Sequence, residues 1–133
     1  MNKYKIKRFS SLSQKSFAFR GYGRGILVGG AGGGVGTHMG GKAGMKALRE
    51  GKDYEEAKDE AGKKGAAVGA AVQAPTEALT AKSLGMSNKE ALVAGITGAV
   101  RGALGGYLGG RKNFRVNEEE AAERQAAYER RKK

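Results

Sequence analysis

FRGYGRGILVGGAGGGVGTHMGG, residues 19–41, is the stretch whose reading decides the fold. Its front, residues 20–25, has the composition of a flexible Arg/Gly/Tyr tail that lies along nucleic acid. Its middle, residues 25–36, carries no charge and only Ile26, Leu27, Val28, Ala31 and Val35 between glycines. Spacing separates the two readings. The glycines at 21, 25, 29, 33, 36, 40 and 44 step by three or four, which at 100° per residue confines them to about 140° of one helix face. A disordered tail has no reason to keep its glycines on one face.

Such a helix has a thermodynamic difficulty. Each glycine in a helix interior costs roughly 1 kcal/mol relative to Ala. The many glycines between 21 and 44 therefore cost about as much as the ~5–15 kcal/mol that stabilises an ordinary domain. The helix forms where a bilayer compels the backbone to bond to itself, or where glycine lets a second helix approach closely. Arg20, Tyr22 and Arg24, with Phe17 and Phe19, then read as interfacial anchors at its entrance.

The rest of the chain extends the theme. Gly accounts for 24 of 133 residues, against a usual share of about 7%. Gly51 suits a helix stop, and Asp53 with Glu56 suits an N-cap. A second helix is expected over 54–73, with Ala57, Ala61, Gly65 and Gly69 in one row. Pro75 suits the first position of a short third helix over 76–84. Ser87 and Glu90 form a capping box that opens a fourth helix over 88–110. That helix has a small face (Gly98, Gly102, Gly106, Gly110) and a bulky one (Leu92, Ile96, Val100, Leu104, Leu108). The alternating runs 4–7 and 113–116 suggest two short paired strands. Asn117 opens a last polar helix that ends in cations, as the helix dipole favours.

Charge names the kind of partner. The 25 Lys and Arg against 13 Asp and Glu give a net +12, which favours an anionic surface. Lys3, Lys5, Lys7, Arg8, Lys15, Arg20 and Arg24 fall in the first 24 residues, which hold no acid. This basic arm suits anionic lipid and nucleic acid alike. No cleavable signal peptide is recognised.

Little points to chemistry. Residues 36–42 follow the phosphate-loop pattern until Ala43 replaces the Ser or Thr that holds Mg²⁺. His38 is the single His and Cys is absent, so no metal or cofactor site is expected. The acids and bases of 50–64 have the spacing of a solvated helix face. Arg101 interrupts an otherwise uncharged run and reads as a residue facing out of a water-soluble packing.

The glycine ladders over 21–44 and 98–110 resemble those of glycine-zipper membrane-associated helical proteins. With the Lys7-Arg-Phe-Ser10 basic start and the charged helical tail, the layout also resembles small virion-internal or ejected structural proteins of tailed bacteriophages. The resemblance implies a membrane or virion assembly component and transfers no catalytic or binding residue.

The expectation is a mostly α chain of glycine-zipper hairpins: a basic, partly extended arm (1–24), a glycine-zipper region (25–112) and a charged C-terminal helix (113–133). Its packing residues are Gly25, Gly29, Gly33, Gly36, Gly40, Gly44, Gly65, Gly69, Gly98, Gly102, Gly106 and Gly110. Its partners are itself or other helical proteins, with anionic lipid or DNA, and no small-molecule substrate. The expected function is a non-enzymatic, oligomerising structural protein, membrane-active or virion-associated. Nucleic-acid binding through the arm and a pore-forming antibacterial toxin are the alternatives.

Overall fold

The computed structural model describes the backbone of residues 3–132 and the side chains of residues 25–132. The described chain is mostly α, with three helices: α1 (Lys3–Arg49), α2 (Tyr54–Ser83) and α3 (Asn88–Lys132).

The two connections are built by local chemistry. Gly51 (φ +88°) closes α1 with bonds from its own N–H to the Leu48 carbonyl and from the Lys52 N–H to the Ala47 carbonyl. Gly85 (φ +79°) closes α2 in the same way on Lys82 and Ala81. This is the left-handed helix stop that a glycine makes cheaply. Asp53 then accepts the Glu56 N–H at 2.9 Å. Ser87 and Glu90 cap α3 reciprocally, at 2.7 and 3.3 Å.

α1 contains a break. Gly30 has φ 60° and ψ −145°, a conformation open essentially to glycine alone. There the chain folds back on itself. A Cβ placed on Gly33 would strike the Gly25 backbone, and one on Gly34 would lie 3.1 Å from the Ile26 side chain. In a straight helix, residues eight apart are about 12 Å apart. The expected single ladder over 21–44 is therefore corrected: Gly25 and Gly29 stand on one side of the turn, Gly33 to Gly44 on the other.

The segment after Gly30 packs antiparallel to α2 and parallel to α3, and the segment before it runs back along α3. The helices meet in layers with almost no side chain between them. Gly36 meets Gly65 and Gly106, Gly40 meets Ala61 and Gly110, and Gly32 meets Gly69. Between α2 and α3, added Cβ atoms on Gly65 and Gly106 would each strike the other's carbonyl, as would those on Gly69 and Gly102. Backbones this close make Cα–H···O contacts and dispersion their main attraction.

Three further expectations are corrected. Pro75 lies inside α2 and does not begin a new helix. It is exposed, so its ring clears the neighbouring helices and the cost is confined to one lost backbone bond and local strain. Residues 113–116 are helical, and α3 runs unbroken past Asn117. Four alternating residues are too few to fix a period. Here Asn113, Phe114 and Val116 are all buried on the inward side of a helix. Their supposed strand partner, 4–7, is likewise helical backbone in α1, so the N-terminal segment is not extended there.

Candidate functional site

The interior and exterior of this molecule are exchanged relative to an ordinary soluble domain. All twelve glycines expected to pack helices are buried. Gly32, Gly41, Gly62, Gly105 and Gly109 are buried with them; these were not in the expected set because they lie beside the main ladders. The bulky aliphatics face outward. Leu92, Val93, Ile96, Val100 and Leu104 are each more than half exposed, and Leu27 is 84% exposed. The bulky and small faces of α3 thus both exist as spaced, with the bulky one exposed among the described residues.

α3 is the one helix among the described residues long and apolar enough to cross a bilayer. Its run 91–110 holds a single charge, Arg101. Twenty helical residues rise about 30 Å, matching the hydrocarbon thickness of about 30 Å.

Charge is sorted along the bundle. Among the described residues only Lys82, Lys89 and Arg101 of the cations, and Glu77 and Glu90 of the acids, lie away from the end formed by 42–64 and 111–132. That end holds the only aromatic core among the described residues. Phe114 is fully buried among Ala47, Ala57 and Ala61, with the Tyr54 ring centroid 5.3 Å away. Burial, and then the nearby Glu118 carboxylate, push the Tyr54 phenol above its ordinary range, and Arg115 opposes them. The exposed pairs Lys52–Glu60 and Lys63–Asp59 raise the two lysines and lower Glu60 through a hydrogen bond first and charge second. Arg111 donates to the Tyr107 hydroxyl at 3.1 Å and lies 5.3 Å from that ring's centroid.

A polar chain crosses the apolar middle at the Gly30 turn. The turn frees the first N–H groups of the segment that follows it. Gln73, buried on α2, accepts the Gly32 N–H at 2.9 Å. Gln73 donates in turn to Glu77 at 2.8 Å, and Arg101 donates to the same Glu77 oxygen at 2.9 Å. Arg101 is thus exposed as expected, but ion-paired across helices. Gln73 and Glu77 were missed; one Gln and one Glu in the Ala-rich run 65–81 are the signal that marks them. Asn113 donates to the Thr37 carbonyl at 3.2 Å, nearer the charged end.

Residues 36–43 are helical, so they form no phosphate-cradling loop. His38 is exposed on the same helix. The side chains of Lys3, Lys5, Lys7, Arg8, Lys15, Arg20, Arg24, Phe17, Phe19 and Tyr22 lie outside the described residues. The chain matches no protein-family model, no curated protein and no solved structure.

Proposed function

We propose that the chain is a non-enzymatic structural protein of membranes, whose apolar bundle sits in the hydrocarbon and whose basic end rests on anionic headgroups. A virion component that works at a membrane falls within this reading. The observation that carries it is the inversion: glycine inside, Leu, Ile and Val outside. Burying an aliphatic side chain is worth about 1.5–3 kcal/mol. Six half-exposed ones on α3 therefore favour hydrocarbon by several kcal/mol. Arg101 opposes this by about 2.5–3.5 kcal/mol on insertion scales. Glu77 enters at the same depth and carries a cost of its own, and its 2.9 Å ion pair with Arg101 lowers the cost of both.

The sorted charges set the orientation. Cations gather where α1 ends, α2 begins and α3 leaves the apolar run. Gly25 packs beside Gly109, so the basic first 24 residues join the bundle at that same end. Juxtamembrane Lys and Arg favour the cytoplasmic, anionic leaflet.

Flotation with vesicles containing anionic lipid, at low and high salt, tests the proposal. Flotation that survives high salt is expected, because buried aliphatics do not respond to screening. Flotation lost with salt would leave only the basic residues in contact with lipid. DNA affinity that falls steeply with salt would then favour the nucleic-acid reading.

A further inference from the structure

The Arg101–Glu77 pair is incomplete as one chain presents it. Arg101 carries five N–H donors, and among the described residues it gives one, to Glu77 Oε1. That oxygen also takes the Gln73 bond, while Oε2 of Glu77 accepts none among the described residues. The side chains remain 48% and 29% exposed. Arg101 is also the midpoint of the run 91–110, about 15 Å from either end. In the membrane reading, on which this inference rests, the open donors face the bilayer centre, where no water satisfies them.

We propose that a second copy of this chain completes the pair, in a parallel two-fold dimer whose axis lies along the bundle. The argument for a second copy is complementarity. Both copies place their cationic ends at one leaflet, so both pairs lie at one depth. The direction from Arg101 to Glu77 runs from α3 to α2, across the axis. A two-fold rotation reverses such a direction, so Arg101 comes to face Glu77 of the partner subunit, and Glu77 the partner subunit's Arg101. An ion pair is thereby its own complement, as an isologous contact requires.

The neighbouring surface permits the approach. α1 turns away at Gly30, level with Arg101 and Gly102, and among the described residues nothing covers the side of the α2–α3 hairpin beyond it. There Ala94 and Thr97 share Arg101's side of α3 at helical spacing, and both are small. Small residues let membrane helices pack closely. Leu92, Ile96 and Val100 lie further round the helix and remain for lipid. The glycine faces are already filled within the chain, so self-association draws on this surface and not on them.

Energy transfer between full-length chains in anionic vesicles tests the dimer, with donor and acceptor on a cysteine added after Lys133. The wild-type chain is expected to show transfer that unlabelled chain competes away. R101E leaves two acids and E77R two cations, so each alone is expected to lose transfer at least tenfold in apparent affinity. Mixed one to one, the two variants are expected to pair with each other and regain it. A pair that serves only within one chain predicts no rescue on mixing. Absence of transfer in the wild type, or a mixture no better than the separate variants, overturns the proposal. Should either variant lose helical circular dichroism, E77Q replaces it, keeping the shape and losing the charge. E77Q is then expected to weaken transfer, and an unchanged signal overturns the proposal equally. Salt-resistant flotation of monomeric chain would remove the dimer and leave the membrane reading intact. Failure of flotation removes the membrane reading itself.

Discussion

Two regions of this bundle are held together by opposite means. Around Gly36, Gly65 and Gly106 there is no side chain to bury, and the backbones themselves touch. Around Phe114 a full aromatic ring is enclosed by Ala47, Ala57 and Ala61 beside Tyr54. Water drives the second arrangement, because closing it removes apolar surface. Water gives the first little, because the apolar surface lies outside. On the proposed membrane reading, the difference matches two solvents. Its charged end carries the core of a small soluble protein, and its middle carries the small-residue packing that serves where the surroundings are already apolar.

The sharpest way to break this comparison is to put a side chain into the glycine region. Gly106→Leu would drive a Cβ into the Gly65 carbonyl. Neither atom can turn aside, since both belong to helix backbone. α2 and α3 must separate, which also parts Gly69 from Gly102. Overpacking in an ordinary core costs about 1–3 kcal/mol. A contact with no movable atom exceeds that, and loss of the compact bundle is expected. Thermal unfolding by circular dichroism in lipid, with limited proteolysis of the α2–α3 turn, reads the outcome. A variant that melts and resists protease like the parent would show that the helices do not touch at these glycines.

The aromatic end responds differently. Phe114→Ala is expected to cost about 3–5 kcal/mol, the range for emptying an aromatic core site. The loss should be similar in detergent and in lipid, because the site lies outside the apolar run. It should also release Tyr54. The phenol is raised chiefly by burial, so opening the site lowers it toward the ordinary tyrosine range. The sign follows from linkage. A raised folded-state value stabilises below the unfolded pKa and is lost as pH rises through the folded one. Phenolate absorbance followed to high pH should therefore show the Tyr54 component moving to lower pH in Phe114→Ala. If that component persists unchanged, Phe114 is not what shields Tyr54.

Much of this arrangement is legible in the residues. The i, i+4 glycine rows of α2 and α3 predict which faces close, and Leu92 to Leu108 mark the face left open. The capping residues Asp53, Ser87 and Glu90 locate both turns. The fold-back at Gly30 is not legible, because the ladder runs through it without a change of period and a glycine row supports a straight helix and a hairpin equally. The choice is made by Gln73, more than 40 positions away, which caps the freed N–H of Gly32. The separate strands and the separate last helix fail for a related reason. Asn113 and Phe114 look like loop and strand residues locally, but Thr37 and Ala47 of another helix hold them in α3. Local pattern reports faces; only the packing partner reports where a helix breaks or continues.

The finest distinction lies between two kinds of glycine. Gly85 has φ +79° and nothing within 4 Å of where a Cβ would stand. Gly106 has ordinary helical geometry and no room. Gly85→Ala therefore meets only the left-handed conformation, costing about 1 kcal/mol, while Gly106→Ala meets the Gly65 carbonyl. Helix propensity works in the other direction. By itself it would make Gly106→Ala stabilising by about 1 kcal/mol. The two single-methyl variants thus separate space from conformation in one pair of unfolding measurements. Gly85→Ala is expected to lower stability slightly and Gly106→Ala to lower it more. If Gly106→Ala raised stability instead, propensity would outweigh contact there, and the glycine-lined middle would be looser than its layers imply.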